Sequence, residues 1–172
     1  TRLARELSIP VIAKETGCGI SGDVGTRLRA AGIEHVDVSG AGGTSWVGVE
    51  TMRATSDAQR SLGNLLWDWG IPTAASVGSV ANLGFRTIFA TGGIQSGLDV
   101  AKAIALGATA VGIARPVLVA YQNGGEAGAE AYLEDVERAL RAVMLLTGSA
   151  NVEALRRAPK VLRGDLTLWL RS

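Results

Sequence analysis

Short apolar runs alternate with glycine-rich polar turns along this chain. Residues 9–15 are apolar until Lys14 and Glu15, which predicts a strand ending in charge. Gly17, Gly19 and Ser21 follow as a turn. Ser21 is placed to cap a helix over residues 22–31 with Val24, Leu28 and Ala31 on one face, and Gly32 ends it. Residues 36–39 (Val36-Asp37-Val38-Ser39) predict the next strand, and residues 40–45 its glycine-rich terminal loop. His35, just before that strand, reads as a solvated junction residue.

A later block repeats this plan. Residues 88–90 predict a strand, Gly92 and Gly93 a turn, and Ser96 the cap of a helix that packs through Val100, Ala101 and Ile104. Gly107 ends that helix, and residues 110–113 predict another strand. The spelling repeats too: Gly19-Ile20 and Asp23-Val24 with Gly32 echo Gly93-Ile94 and Asp99-Val100 with Gly107. Two versions of one βα block point to a parallel α/β fold, a barrel or another βα repeat. Residues 46–70 are less regular and predict a long loop over the strand ends, followed by a helix over residues 74–83. Residues 128–146 predict an amphipathic helix, with Ala131, Val136, Leu140, Val143 and Met144 apolar and Glu130, Glu134, Glu137, Arg138 and Arg141 exposed. A short helix over residues 151–158 stops at Pro159, and Trp169 is expected to anchor the tail. No flexible linker interrupts residues 1–172, which read as one domain.

Composition narrows the function. Lysine and arginine (17) nearly balance aspartate and glutamate (16), so no basic face for nucleic acid is implied. No apolar run reaches transmembrane length, and residues 1–20 are not expected to act as a signal peptide. Thr1-Arg2-Leu3 is expected to mark a cut or a lost leader. Cys18 is the only cysteine, which makes an internal disulfide impossible and a reducing cytoplasm the default. His35 is the only histidine, which argues against a histidine triad or a multi-histidine zinc site within this chain. A complete (βα)8 barrel takes about 250 residues. At 172 residues the chain is short for one.

The candidate chemistry lies where strands end. Gly92 and Gly93 let backbone approach an anion, and the helix starting near Ser96 points its N–H groups and positive dipole end at it. Gly93, Ile94 and Gln95, with Ala114 and Arg115 at the next strand end, are therefore the candidate phosphate cradle. Lys14 is either a cation at the mouth or a strand-end lysine reaching solvent. Glu15 points to the opposite side and is expected to order a loop or form an ion pair. Ser39 and Thr44 bracket Gly40-Ala41-Gly42-Gly43 and either hydrogen-bond a polar ligand or serve the turn. Asp37 is expected to be a structural acceptor, and Trp67 and Trp69 core or subunit-contact residues.

Val11-Ile12-Ala13-Lys14-Glu15, Val36-Asp37-Val38-Ser39-Gly40-Ala41-Gly42-Gly43-Thr44-Ser45-Trp46, Trp69-Gly70-Ile71-Pro72-Thr73 and Ala90-Thr91-Gly92-Gly93-Ile94 resemble the type 2 isopentenyl diphosphate isomerases. The resemblance covers essentially the whole chain. It implies the C-terminal half, strands five to eight, of an FMN-dependent (βα)8 TIM barrel. Lys14 would contact the flavin ring, and Ser39 and Thr44 would hydrogen-bond FMN. Gly93, Ile94, Gln95, Ala114 and Arg115 would hold its phosphate. The family commonly has arginine where Gln95 stands, so Arg115 would supply the charge. The resemblance further implies interconversion of isopentenyl and dimethylallyl diphosphate by reduced-FMN proton transfer in isoprenoid biosynthesis. NAD(P)H or another reductant, Mg2+, a cytoplasmic location and a homo-oligomer come with it. The diphosphate- and magnesium-binding residues of the family belong to its other half, so this chain alone is expected to be inactive. Two alternatives stand beside this one. One is another FMN-dependent oxidoreductase, whose usual histidine base His35 is badly placed to be. The other is a non-catalytic phosphate-binding half-barrel that self-associates through open sheet edges.

Overall fold

The computed structural model describes residues 2–170; Thr1, on which the expectation of a cut terminus rested, lies outside them. Strands β1 (Ile12–Lys14), β2 (His35–Asp37), β3 (Thr87–Ala90) and β4 (Ala110–Val111) form one parallel sheet in the order β1-β2-β3-β4. Parallel neighbours need crossover connections. Helix α2 (Gly22–Ala30) supplies the first. Helices α3 (Trp46–Met52), α4 (Asp57–Leu65) and α5 (Thr73–Val80) lie between β2 and β3, and α6 (Gly97–Ala105) between β3 and β4. Helix α1 (Arg2–Glu6) precedes the sheet; α7 (Arg115–Leu146), α8 (Val152–Arg157) and α9 (Leu166–Trp169) follow it.

The expected caps form. Ser21 Oγ accepts from Val24 N at 3.2 Å and Ser96 Oγ from Asp99 N at 3.2 Å, each satisfying an N–H that the first helical turn leaves open. Alternation along the strands then sorts the two faces of the sheet. Val36, Val38, Ile88 and Ala90 face the helices and pack with Val77 and Val80 of α5, Val100 and Ile104 of α6, and Leu155 of α8. The opposite face carries Ile12, Lys14, His35, Asp37 and Phe89 and contributes nothing to that core.

Several expectations are corrected. Residues 46–70 are not a long loop. Ser45 and Ser56 cap α3 and α4; Gly63 of α4 meets Thr51 of α3, and the Trp67 ring, just past α4, meets Gly48 of α3. Trp67 therefore covers α3 at the surface rather than entering the core, and Trp69 is exposed. The long helix starts at Arg115, with a break at Gly125 (φ 62°), rather than at residue 128. Its Ala131 is exposed, as is Val24 on α2, where Gly25 is the residue that meets Val80 and Leu83. His35 is no loop residue: it opens β2, and its Nδ1 lies 2.9 Å from Thr87 Oγ1. At the C-terminal end α9, which carries Trp169, packs on α5, with Leu170 against Gly78.

Candidate cofactor site at the strand ends

Parallel register brings Lys14 level with Asp37 on the face away from the helices. The Lys14 ammonium donates to Asp37 Oδ2 at 2.7 Å. Asp37 Oδ1 accepts from Thr91 Oγ1 at 2.6 Å and from Ser39 N at 3.2 Å. Three donors satisfy one buried carboxylate, which is what lets a charge sit there at little cost. Asp37 is thus the structural acceptor expected of it, and it tethers Lys14 at the mouth of the sheet. Glu15 points the other way. Its Oε2 accepts from the N–H groups of Gly17, Cys18 and Gly19 at 2.6, 2.6 and 3.2 Å and so orders the loop after β1.

The glycine loops after β2 and β3 lie against each other more closely than side chains allow. A Cβ at Gly92 would stand 2.2 Å from Gly40 O, and one at Gly93 2.4 Å from Gly42 O. This contact brings the Thr44 end of one loop to the Gly93 end of the other. Ser39, at φ 36°, is the only non-glycine residue with positive φ among the described residues. Such strain persists where the surroundings over-determine it, and it concentrates at ligand sites. The hydroxyls of Ser39 and Thr44 make no hydrogen bond among the described residues.

Beyond Gly93 the chain enters α6. Gln95 N donates to Asp99 Oδ2 at 3.3 Å, and Gln95 O accepts from Tyr132 of α7 at 2.7 Å. The Gln95 main chain is therefore committed to holding the loop, and only its side chain is open to solvent. Burial first, and the neighbouring Asp99 charge second, push the Tyr132 phenol above its ordinary pKa, so it stays a donor through neutral pH. The N–H groups of Gly93, Ile94, Ala114 and Arg115 reach no protein acceptor among the described residues. They sit at the ends of two paired strands, β3 and β4. Arg115 occupies the first turn of α7 rather than a strand end; it is exposed and forms no ion pair among the described residues. Open backbone donors, a nearby arginine and two uncommitted hydroxyls fit a phosphorylated cofactor. Thr91 and Thr73 were missed as supporting residues. Thr91 sits in the quoted Ala90-to-Ile94 string, and Thr73 follows Pro72 at a helix start, a pattern that could have flagged it.

A helix-backed parallel sheet with abutting glycine-rich loops at its C-terminal edge defines a parallel α/β protein. The model of the FMN-dependent dehydrogenase family matches residues 1–162, and the chain belongs to that family. It is 45% identical over 168 residues to an isopentenyl-diphosphate delta-isomerase of Thermococcus onnurineus (strain NA1), across 98% of this chain and 45% of that protein. The isopentenyl-diphosphate delta-isomerase of Methanothermobacter thermautotrophicus is 44% identical, across 98% and 47%. The chain spans about half the length of the curated relatives it matches. Among solved structures, mandelate oxidase superposes with a TM-score of 0.67 at 27% identity, covering 91% of this chain and 39% of that one. No helix of the described residues is long and apolar enough to cross a membrane.

Proposed function

We propose that this chain is the FMN-binding portion, strands five to eight, of a (βα)8 barrel that interconverts isopentenyl and dimethylallyl diphosphate in isoprenoid biosynthesis. The pair of abutting glycine loops, beside uncommitted N–H groups at two adjacent strand ends, carries the reading. Likeness to the named isomerases along 98% of the chain supports it. A parallel sheet normally buries both faces, whereas the core here lies on one face alone. Four further strands in the same polypeptide would cover the other, and residues 1–172 would fold with them as one half of that barrel.

Reduced FMN, when bound, supplies the proton-transfer chemistry of this redox-neutral isomerisation. Lys14, fixed by Asp37 and Thr91, presents positive charge to the flavin. Ser39 and Thr44 orient its polar groups. Gly93, Ile94, Ala114 and Arg115 hold the phosphate, and Gln95 lines it through its side chain. NAD(P)H or another reductant readies the cofactor, and the residues for Mg2+ and the substrate diphosphate belong to the rest of the barrel. A cytoplasmic homo-oligomer completes the proposal.

Mandelate oxidase-like oxidation is the competing reading. The single histidine counts against it, because His35 opens β2 at the end of the sheet remote from Lys14 and bonds to Thr87. The deciding experiment is isomerisation of isopentenyl diphosphate with FMN, Mg2+ and a reductant, followed alongside the flavin absorbance of the purified protein. The complete gene product carrying this chain turns over the substrate, and Lys14→Ala weakens flavin binding or slows the reaction. The 172-residue chain alone does not turn over the substrate; substantial activity from it would refute the division of labour.

A further inference from the structure

The short segment Ile71-Pro72-Thr73 crosses the ends of three strands. Ile71 N donates to Cys18 O in the loop after β1 at 2.8 Å. Ala41, in the loop after β2, exchanges two backbone bonds with it: Ala41 N to Ile71 O at 2.9 Å and Thr73 N to Ala41 O at 3.2 Å. The loop after β3 is joined by a side chain instead. Thr73 Oγ1 donates to Gly92 O at 2.6 Å, with Thr91 O a longer 3.3 Å away. Thr73 is buried, and a Cβ on Gly40 would come within 2.3 Å of its Cα, so its hydroxyl has little room to move.

Gly92 O belongs to the peptide unit whose N–H is that of Gly93, the first donor of the cradle. Holding that carbonyl fixes the plane of the peptide and therefore the direction of its N–H. Glycine on both sides of the unit, with Gly93 at φ 78°, would otherwise let it rotate. We infer that Thr73 is a positioning residue for phosphate recognition: its hydroxyl locks the Gly92 carbonyl and aims the Gly93 N–H group at the cofactor's phosphate. This rests on the proposed FMN site and assigns to it a residue that does not itself touch the ligand.

The test compares FMN with riboflavin, which lacks the phosphate, in titrations of the complete gene product. Thr73→Val keeps the shape and removes the donor. It is expected to weaken FMN binding about tenfold, the scale of one lost hydrogen bond of 1.4 kcal/mol, and to leave riboflavin binding unchanged. Thr73→Ser keeps the donor and restores the preference for FMN. The amide chemical shift of Gly93 in the cofactor-free protein gives a second readout: moved in Thr73→Val, unchanged in Thr73→Ser. A preference for FMN that survives in Thr73→Val, or one lost equally in Thr73→Ser, overturns the inference while the site reading stands. A wild-type protein that does not distinguish FMN from riboflavin overturns both.

Discussion

Substituting Gly93 by alanine tests the loop-on-loop contact at the heart of the site. Two costs add. Alanine at φ +78° enters the left-handed region, at about 1–2 kcal/mol. Its Cβ would also stand 2.4 Å from Gly42 O and 2.6 Å from Gly42 C, both backbone atoms with no rotamer to escape into. Forcing that loop apart costs a further ~1–3 kcal/mol, as overpacking typically does. Gly32→Ala isolates the first cost, because Gly32 has φ +86° and nothing within 4 Å of a built Cβ. The entropy that alanine removes from the unfolded chain is the same in both variants and cancels. Urea denaturation followed by circular dichroism should therefore show Gly32→Ala destabilised by ~1–2 kcal/mol and Gly93→Ala by ~2–5 kcal/mol. Gly93→Ala should in addition lose FMN binding, which Gly32→Ala keeps. Equal midpoints for the two variants would mean that the loops do not abut, and the cradle built on them would fall with that contact.

Asp37→Asn replaces the buried acceptor of Lys14 and Thr91 and should destabilise by ~1.5–3 kcal/mol, the range for hydrogen bonds to charged groups, in the same denaturation assay. Lys14→Met, made at the half-exposed partner, should cost less; the reverse order would contradict the geometry. Tyr132→Phe removes the donor to Gln95 O and should lower stability by ~1 kcal/mol. Because the folded phenol titrates above its unfolded value, the tyrosine contribution is complete below the ordinary phenol range. It is lost as pH rises through the folded pKa. The gap between wild type and Tyr132→Phe should thus stay constant across neutral pH and close only in strongly alkaline solution, which melting curves at several pH values would check.

The βα blocks were legible because their signals are local. Ser21 and Ser96 cap the helices they precede, Gly32 and Gly107 take positive φ just after them, and the apolar runs supply the strands. The α3–α4 pair was not. Met52, Leu62 and Leu65 remain exposed there, so the segment shows no buried stripe, and its pairing rests on Gly48 and Gly63 meeting larger neighbours. The start of α7 was hidden for a different reason: Gly124 and Gly125 are poor helix formers, yet the helix runs through them with one non-helical residue.

The site divides in the same way. Residue types and spacing alone determined that glycines, hydroxyls and Lys14 gather at strand ends, because a parallel βα repeat sends every such turn to one edge of the sheet. Only the tertiary structure decided which of them are free to bind. It committed the Gln95 main chain to Asp99 and Tyr132, tied Lys14 to Asp37, and brought Thr73 onto Gly92 across the intervening α5 and β3. Those partners lie up to 37 residues apart on either side of the loop. No local pattern encodes such pairings; they follow from strand register and from how closely glycine lets two backbones approach.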